Sequence, residues 1–149
     1  MKTGYFMRIN NETTRSCIIN KYGRLVEIVA EDLNLQRSRK NKADQRFREM
    51  AESSGYADAI AWVSNDVLKS EYLFRRLAVL HEVLIGIGDN LEMLKAQVSS
   101  ILDKHLDRLM TQSLETSTEK SHNLVAMAEF EAGREYFDIL KRYQRFLLR

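Results

Sequence analysis

The side chains of this chain that could do chemistry are three histidines, one cysteine and a pair of aspartates. No two of the histidines, His81, His105 and His122, lie three or four residues apart, so the two-histidine metal face of a helix is missing. Asp103 and Asp107 flank one of them at helical spacing, but a solvated polar helix face explains that pattern without a metal ion. We therefore expect neither a metal site nor a cofactor.

No motif for covalent catalysis or nucleotide binding is evident either. Cys17 stands between a serine and two isoleucines, where a buried structural thiol is expected rather than a nucleophile. Gly86 and Gly88 lack the third glycine of a dinucleotide loop, and no Gly-Lys-Ser or Gly-Lys-Thr run is present to cradle phosphates. The sequence therefore predicts a protein that is not an enzyme, with no catalytic residues.

Positive charge is concentrated between Arg37 and Arg48, where six basic residues face one acid, Asp44. Cations this close together can neutralise phosphates and release counterions, which gives sequence-independent affinity for nucleic acid. The alternative is a solvated loop and helix face. The predicted nucleic-acid-binding residues are Arg37, Arg39, Lys40, Lys42, Arg46 and Arg48.

A second basic run, from Lys141 to Phe146, alternates cations with aromatic residues. Such a run could stack on bases or lie on anionic lipid. Cations at a helix C-terminus are favourable in themselves, however, and aromatic residues at this spacing usually belong to a core. We expect this run to be structural.

Composition suggests the compartment. The single cysteine excludes an intramolecular disulfide and fits a reducing environment. Neither a secretory signal nor an apolar run long enough to span a bilayer is evident in the sequence. We expect a cytoplasmic protein that does not contact membranes.

Proline is absent from all 149 residues. Because proline is the residue that most strongly breaks a helix, its absence predicts an all-α protein. With 44% hydrophobic residues the chain can bury one core. We expect a single domain over residues 1–149, folded as a bundle of four to five helices: a basic N-terminal part (1–55), a central leucine seam (56–110), a polar loop (111–121) and a C-terminal helix (122–149).

The N-terminal part admits two interpretations. Arg24 to Leu35 reads as an amphipathic helix, or else residues 17–20 and 24–29 pair as a short hairpin. We favour the helix because its apolar pattern continues with good helix formers. A second helix is expected to begin after Asn41, a good cap, and to end at Ser53 to Gly55. Cations at that helix start oppose the macrodipole, which suggests that they serve a partner.

A leucine seam is the clearest pattern in the sequence. Apolar residues recur at alternating steps of four and three, the heptad rhythm of helices packed side by side as in coiled coils. An exposed remainder of so long a stripe would favour a homodimer. The residues predicted to serve oligomerisation are Leu73, Leu77, Leu80, Leu84, Ile87, Leu91, Leu94 and Val98, and the stripe continues through Leu102, Leu106 and Leu109.

The seam is either one rod or a helical hairpin. Gly86 to Asn90 contains two glycines and an Asp followed three residues later by Glu92, which is typical of a helix stop and a new cap. The register of the seam nevertheless runs through unbroken. We favour a continuous or kinked helix, followed by the polar loop from Thr111 to Ser121.

Two segments resemble the ribbon-helix-helix accessory proteins of plasmid mobilisation. Arg46-Phe47-Arg48-Glu49-Met50-Ala51-Glu52-Ser53-Ser54-Gly55 is similar to their first helix and turn, and Ile87-Gly88-Asp89-Asn90-Leu91 to a later helical element. The resemblance implies a basic strand before the first helix. This chain instead has Arg37 and Arg39 where that strand would bury apolar residues.

Two functions follow as expectations. The first is a non-enzymatic accessory protein that dimerises through the seam and binds DNA or RNA through the basic cluster. The alternative is a helical adaptor, chaperone or scaffold that binds another protein through apolar surface, with the basic cluster incidental.

Overall fold

The computed structural model describes residues 2–53, 57–118 and 124–149, and the side chains of residues 21–53, 61–114 and 124–149. These residues form four helices, α1 (Lys2–Glu52), α2 (Ala57–Ile87), α3 (Leu91–Thr118) and α4 (Leu124–Leu148), and the described part of the chain contains no strand. The prediction of an all-α bundle is confirmed.

The packing of the helices departs from chain order at one place, between α2 and α3. α2 lies against both α1 and α4, α4 also lies against α3, and the consecutive helices α2 and α3 hardly touch each other. The hydrogen bonds of Gln144 to Ser99 and of His105 to Gly133 show that α3 and α4 run antiparallel. α4 is therefore inserted between the two halves of the leucine seam.

One apolar cluster joins all four helices. α1 contributes Leu25 and Val29, and the leucines of α2 and α3 meet the inner face of α4, where Leu140, Tyr143 and Leu147 are buried. At about 25 cal/mol per Å² of apolar surface removed from water, side chains of this size are the main stabilising contribution to the fold.

The seam is divided, and the continuous helix that we favoured is wrong. α2 ends at Ile87, and Gly88 has φ 75°, a left-handed conformation that closes many helix C-termini and that glycine adopts without steric cost. Asn90 then caps α3, since the Met93 amide donates to Asn90 Oδ1 at 3.1 Å. The local stop and cap prevail over the unbroken register because α4 supplies the buried surface that both halves of the seam need.

The basic cluster lies within one helix. α1 runs through Asn41 without a break, so the expected helix start after that residue is wrong, whereas the helix predicted from Arg24 to Leu35 is confirmed. No glycine or proline interrupts residues 24–53, and side chains on both sides of Asn41 keep the helical pattern. The cations therefore do not face a helix N-terminus, and the macrodipole argument does not apply to them.

The polar stretch after the seam is mostly helical. α3 continues to Thr118, so the loop predicted from Thr111 is wrong over residues 111–118, and residues 119–121 lie outside the described part of the chain. Polar and charged residues with adequate helix propensity extend a helix already anchored by its apolar face. The final helix begins at Leu124, and residues 122 and 123 of its predicted range lie outside the described part of the chain.

Candidate nucleic-acid interface

The six cations of the basic cluster are distributed around α1 rather than along one face. At about 100° per residue, with Gln36 and Ala43 facing the core, Lys42 and Arg46 lie on one flank and Arg48 on the other. The ridge that points away from the core carries Asn41 and Gln45 between these two flanks, where both are exposed.

Arg39 is a structural residue. Its guanidinium donates to Glu135 Oε1 at 2.9 Å and to Asp66 Oδ1 at 3.5 Å, so one side chain joins α1 to α2 and α4. The side chain is 31% exposed, which reduces solvent screening relative to an open surface pair. Engaged by two carboxylates, Arg39 is the member of the cluster least available to a phosphate.

Arg37 and Lys40 share one aromatic ring on α2. The Arg37 guanidinium carbon and the Lys40 Nζ each lie 5.5 Å from the centre of the Phe74 ring. Cation–π contacts at such partly exposed sites contribute about 0.5 to 1 kcal/mol and leave the charge unneutralised. These two residues therefore hold α1 on α2 and still present positive charge.

The other three cations are free to meet an external anion. Lys42, Arg46 and Arg48 are exposed, and no carboxylate of the described residues pairs with any of them. Phe47 lies between the two arginines and is also exposed. The interface predicted from the sequence therefore narrows to the segment of α1 from Asn41 to Arg48.

The residues assigned to oligomerisation lie inside one chain. Six of them, Leu73, Leu77, Leu80, Leu84, Leu94 and Val98, are at most 1% exposed, and Ile87 and Leu91 are partly buried against the same core. In this structure the seam therefore serves the fold of a single chain. Self-association requires a different surface.

An apolar groove between α3 and α4 offers such a surface, and sequence reasoning missed it. Leu106 and Met110 form one wall and Phe130 and Phe137 the other, around a cavity of about 350 Å³. Met110 is 60% exposed. Leu106, Met110 and Leu114 recur at steps of four in the sequence, but the predicted seam included only the first of these three residues.

His105 is a buried structural residue. Its acidic neighbours Asp103 and Asp107, by contrast, are exposed on α3. Its Nε2 lies 2.7 Å from the Gly133 carbonyl oxygen, and its ring meets the Tyr136 ring edge to face at 4.9 Å. Nε2 must carry the proton in this bond, because a carbonyl can only accept.

Burial lowers the pKa of His105 below 6.5, although its bond to Gly133 opposes that shift; the nearby Arg76 and Arg108 add to the lowering. In the unfolded chain His105 regains its ordinary pKa and binds a proton first as the pH falls. Its contribution to stability is therefore present above about pH 6.5 and is lost below it.

Arg142 and Tyr143 of the C-terminal basic run are structural residues. Asp32 on α1 accepts hydrogen bonds from the Tyr143 hydroxyl at 2.5 Å and from Arg142 at 2.6 Å. Burial, and next the bond to Asp32, raises the pKa of the Tyr143 hydroxyl above its ordinary value. This hydrogen-bonded group fixes the middle of α1 on α4.

Among the described residues, no group of three or more His, Cys, Asp and Glu side chains could hold a metal ion. The side chains of Cys17 and His122 lie outside that set. Nor does any helix in the described ranges combine the length and the apolar character needed to cross a membrane.

The segment from Leu33 to Arg39, for which the plasmid-mobilisation resemblance implies a strand, belongs to α1. Comparisons with models of known protein families, with curated proteins and with solved structures find no match to this chain.

Proposed function

We propose that this chain is a non-enzymatic accessory protein that binds nucleic acid through the segment of α1 from Asn41 to Arg48. The observation that carries the proposal is the set of three exposed cations, Lys42, Arg46 and Arg48, that lack a carboxylate partner among the described residues. Their neighbours Arg37, Arg39 and Lys40 make contacts that fix this helix on the bundle.

The arrangement suits a helix lying in a groove of a duplex. Phosphates line both sides of the groove, and cations on both flanks of a helix can reach both rows of phosphates. The ridge between them carries Asn41 and Gln45, whose amides match the edges of base pairs. Gln45 Nε2 donates to Glu49 Oε1 at 3.1 Å, so Gln45 must exchange that bond for one to a base, and Asn41 is the more available of the two. Phosphate contacts give most of the affinity and the amide ridge gives any base preference.

The test removes the three free cations together. We expect Lys42→Gln/Arg46→Gln/Arg48→Gln to bind a labelled duplex at least tenfold more weakly at about 50 mM salt, and to lower the slope of log affinity against log salt by about three. Fluorescence anisotropy across a salt series measures both quantities.

The matched control is Lys104→Gln/Arg145→Gln/Arg149→Gln, which removes the same charge from exposed positions of α3 and the C-terminal end. It should keep most of the affinity of the parent protein. Absence of binding at about 50 mM salt, or an equal loss in both variants, would exclude this segment as the interface.

A second candidate function, self-association as a scaffold, is favoured by the α3–α4 groove. We propose that its occupant is a second copy of the chain. Arg134 and Asp138 border the groove one helical turn apart, both exposed. A two-fold axis between them would bring each opposite its counterpart of the other sign, and Phe130 and Phe137 would be covered at the same time.

We expect the parent protein to sediment as a dimer and Leu106→Glu/Met110→Glu to sediment as a monomer with an unchanged helical spectrum, because the new carboxylates lie in the apolar contact. Leu148→Glu places a carboxylate at a comparably exposed apolar position outside the groove and should leave the dimer intact. A parent protein that stays monomeric at every concentration would refute the proposal.

A further inference from the structure

A second basic site lies where α2 and α3 stand apart over α4. Arg75 and Arg76 of α2 and Arg108 of α3 line one groove of about 340 Å³, together with Tyr72, Val79 and Glu129. Arg75 is already engaged, since it donates to Glu71 at 2.6 Å. The two remaining guanidinium groups come from different helices and face the same space.

Neither Arg76 nor Arg108 forms an ion pair with a carboxylate of the described residues, and Glu129 in the groove wall is not within pairing distance of them. Arg76 is partly buried, with its guanidinium carbon 5.1 Å from the centre of the Tyr72 ring. Partial burial of a guanidinium without a counter-charge costs free energy. Binding of an anion in the groove would offset that cost.

A second observation points the same way. The Tyr72 hydroxyl is buried and has no hydrogen-bond partner among the described residues. A hydroxyl can donate to an anionic oxygen, and a guanidinium offers a planar fork of donors that matches an oxyanion. Arg76 and Arg108 therefore supply donors from two helices to one cavity, and Tyr72, whose covered hydroxyl is unpartnered, forms part of its wall.

We propose that this groove binds an oxyanion of the phosphate class, either as a free phosphate compound or as a phosphodiester of nucleic acid. The site lies on a different surface from the Asn41 to Arg48 segment of α1 and does not depend on the function proposed for that segment. Glu129 repels the anion and keeps its affinity modest, which makes Glu129 a diagnostic position.

Thermal unfolding is measured against inorganic phosphate, with sodium chloride at matched ionic strength as the reference. Phosphate should raise the melting temperature of the parent protein beyond the chloride series. Arg76→Gln/Arg108→Gln should need at least about tenfold more phosphate for the same shift, and Glu129→Gln several-fold less, because each change removes one class of charge from the groove.

Lys104→Gln/Arg145→Gln removes equal charge elsewhere and should respond as the parent does. Circular dichroism without phosphate verifies that Arg76→Gln/Arg108→Gln is folded. Calorimetric titration of phosphate into Glu129→Gln measures binding without using the arginine variant. Equal phosphate effects in the parent and arginine variants, or no effect beyond chloride, would overturn the proposal.

A competition assay identifies the source of the phosphate. If inorganic phosphate displaces a labelled single-stranded oligonucleotide from the α1 variant Lys42→Gln/Arg46→Gln/Arg48→Gln, the groove binds phosphodiesters. If that variant has lost the oligonucleotide but keeps the phosphate-dependent thermal shift, the groove binds a free phosphate compound. In the second case the groove proposal stands even though the oligonucleotide is held only by α1.

Discussion

Leu80→Ala is expected to lower the free energy of unfolding by about 3 kcal/mol, by the same amount at every protein concentration. Leu80 is 1% exposed in the cluster that joins α2 to α4. Truncation removes three carbon atoms from this contact and leaves a cavity that neighbouring helices can only partly fill. The cost falls on the fold of one chain, since the contact lies within it.

Urea unfolding at two protein concentrations tenfold apart measures this effect and separates the two roles proposed for the seam. Leu148→Ala, at a 67% exposed position, should change stability by less than about 0.5 kcal/mol. If the loss caused by Leu80→Ala grows on dilution, the seam contributes to a contact between copies, and its placement in the core of a single chain would be wrong.

The seam shows what periodicity can predict. Leu73, Leu77 and Leu80 recur at the steps of four and three that place residues on one face of a helix, and all three are buried. Periodicity does not reveal which surface covers a stripe. α4 fills that role from more than forty residues away in sequence, with an inner face that includes Leu140.

For the basic cluster, too, the sequence pattern identifies the residues but not the groups that they contact. Composition located six cations in twelve residues, and the structure assigns different roles to them. Arg39 pairs with Asp66 and Glu135, the latter 96 residues away, and no local pattern announces that contact. Helical spacing alone separates Lys42 and Arg46 from Arg48, because all three lie in the helix that was expected after Asn41.

The structural cations position the free ones. Arg39 fixes α1 to both α2 and α4 less than one turn before Lys42, and Lys40 rests on Phe74. An interface on a helix held in this way loses little conformational entropy on binding, because its backbone is already ordered. The proposed nucleic-acid surface therefore depends on contacts that themselves bind no ligand.

Gly133→Val is expected to lower the free energy of unfolding by about 3 kcal/mol, the upper end of the cost of overpacking. Gly133 is buried where α4 meets α3, and a Cβ atom placed there would lie 2.8 Å from Leu109 Cδ2 and 3.7 Å from the His105 ring. The branched side chain of valine adds two further methyl groups to this space and is stiff at χ1 in a helix.

Gly133→Ala should be nearly neutral, since the methyl end of Leu109 can rotate away and alanine gains about 1 kcal/mol of helix propensity over glycine. In a double-mutant cycle with Leu109→Ala, part of the valine penalty should be recovered, because the truncated side chain vacates the space. The His105 pKa, followed by NMR, should rise toward 6.5 in Gly133→Val, because burial is the largest cause of its lowering. A valine variant with parental stability and an unchanged His105 pKa would show that α3 and α4 do not meet closely at Gly133.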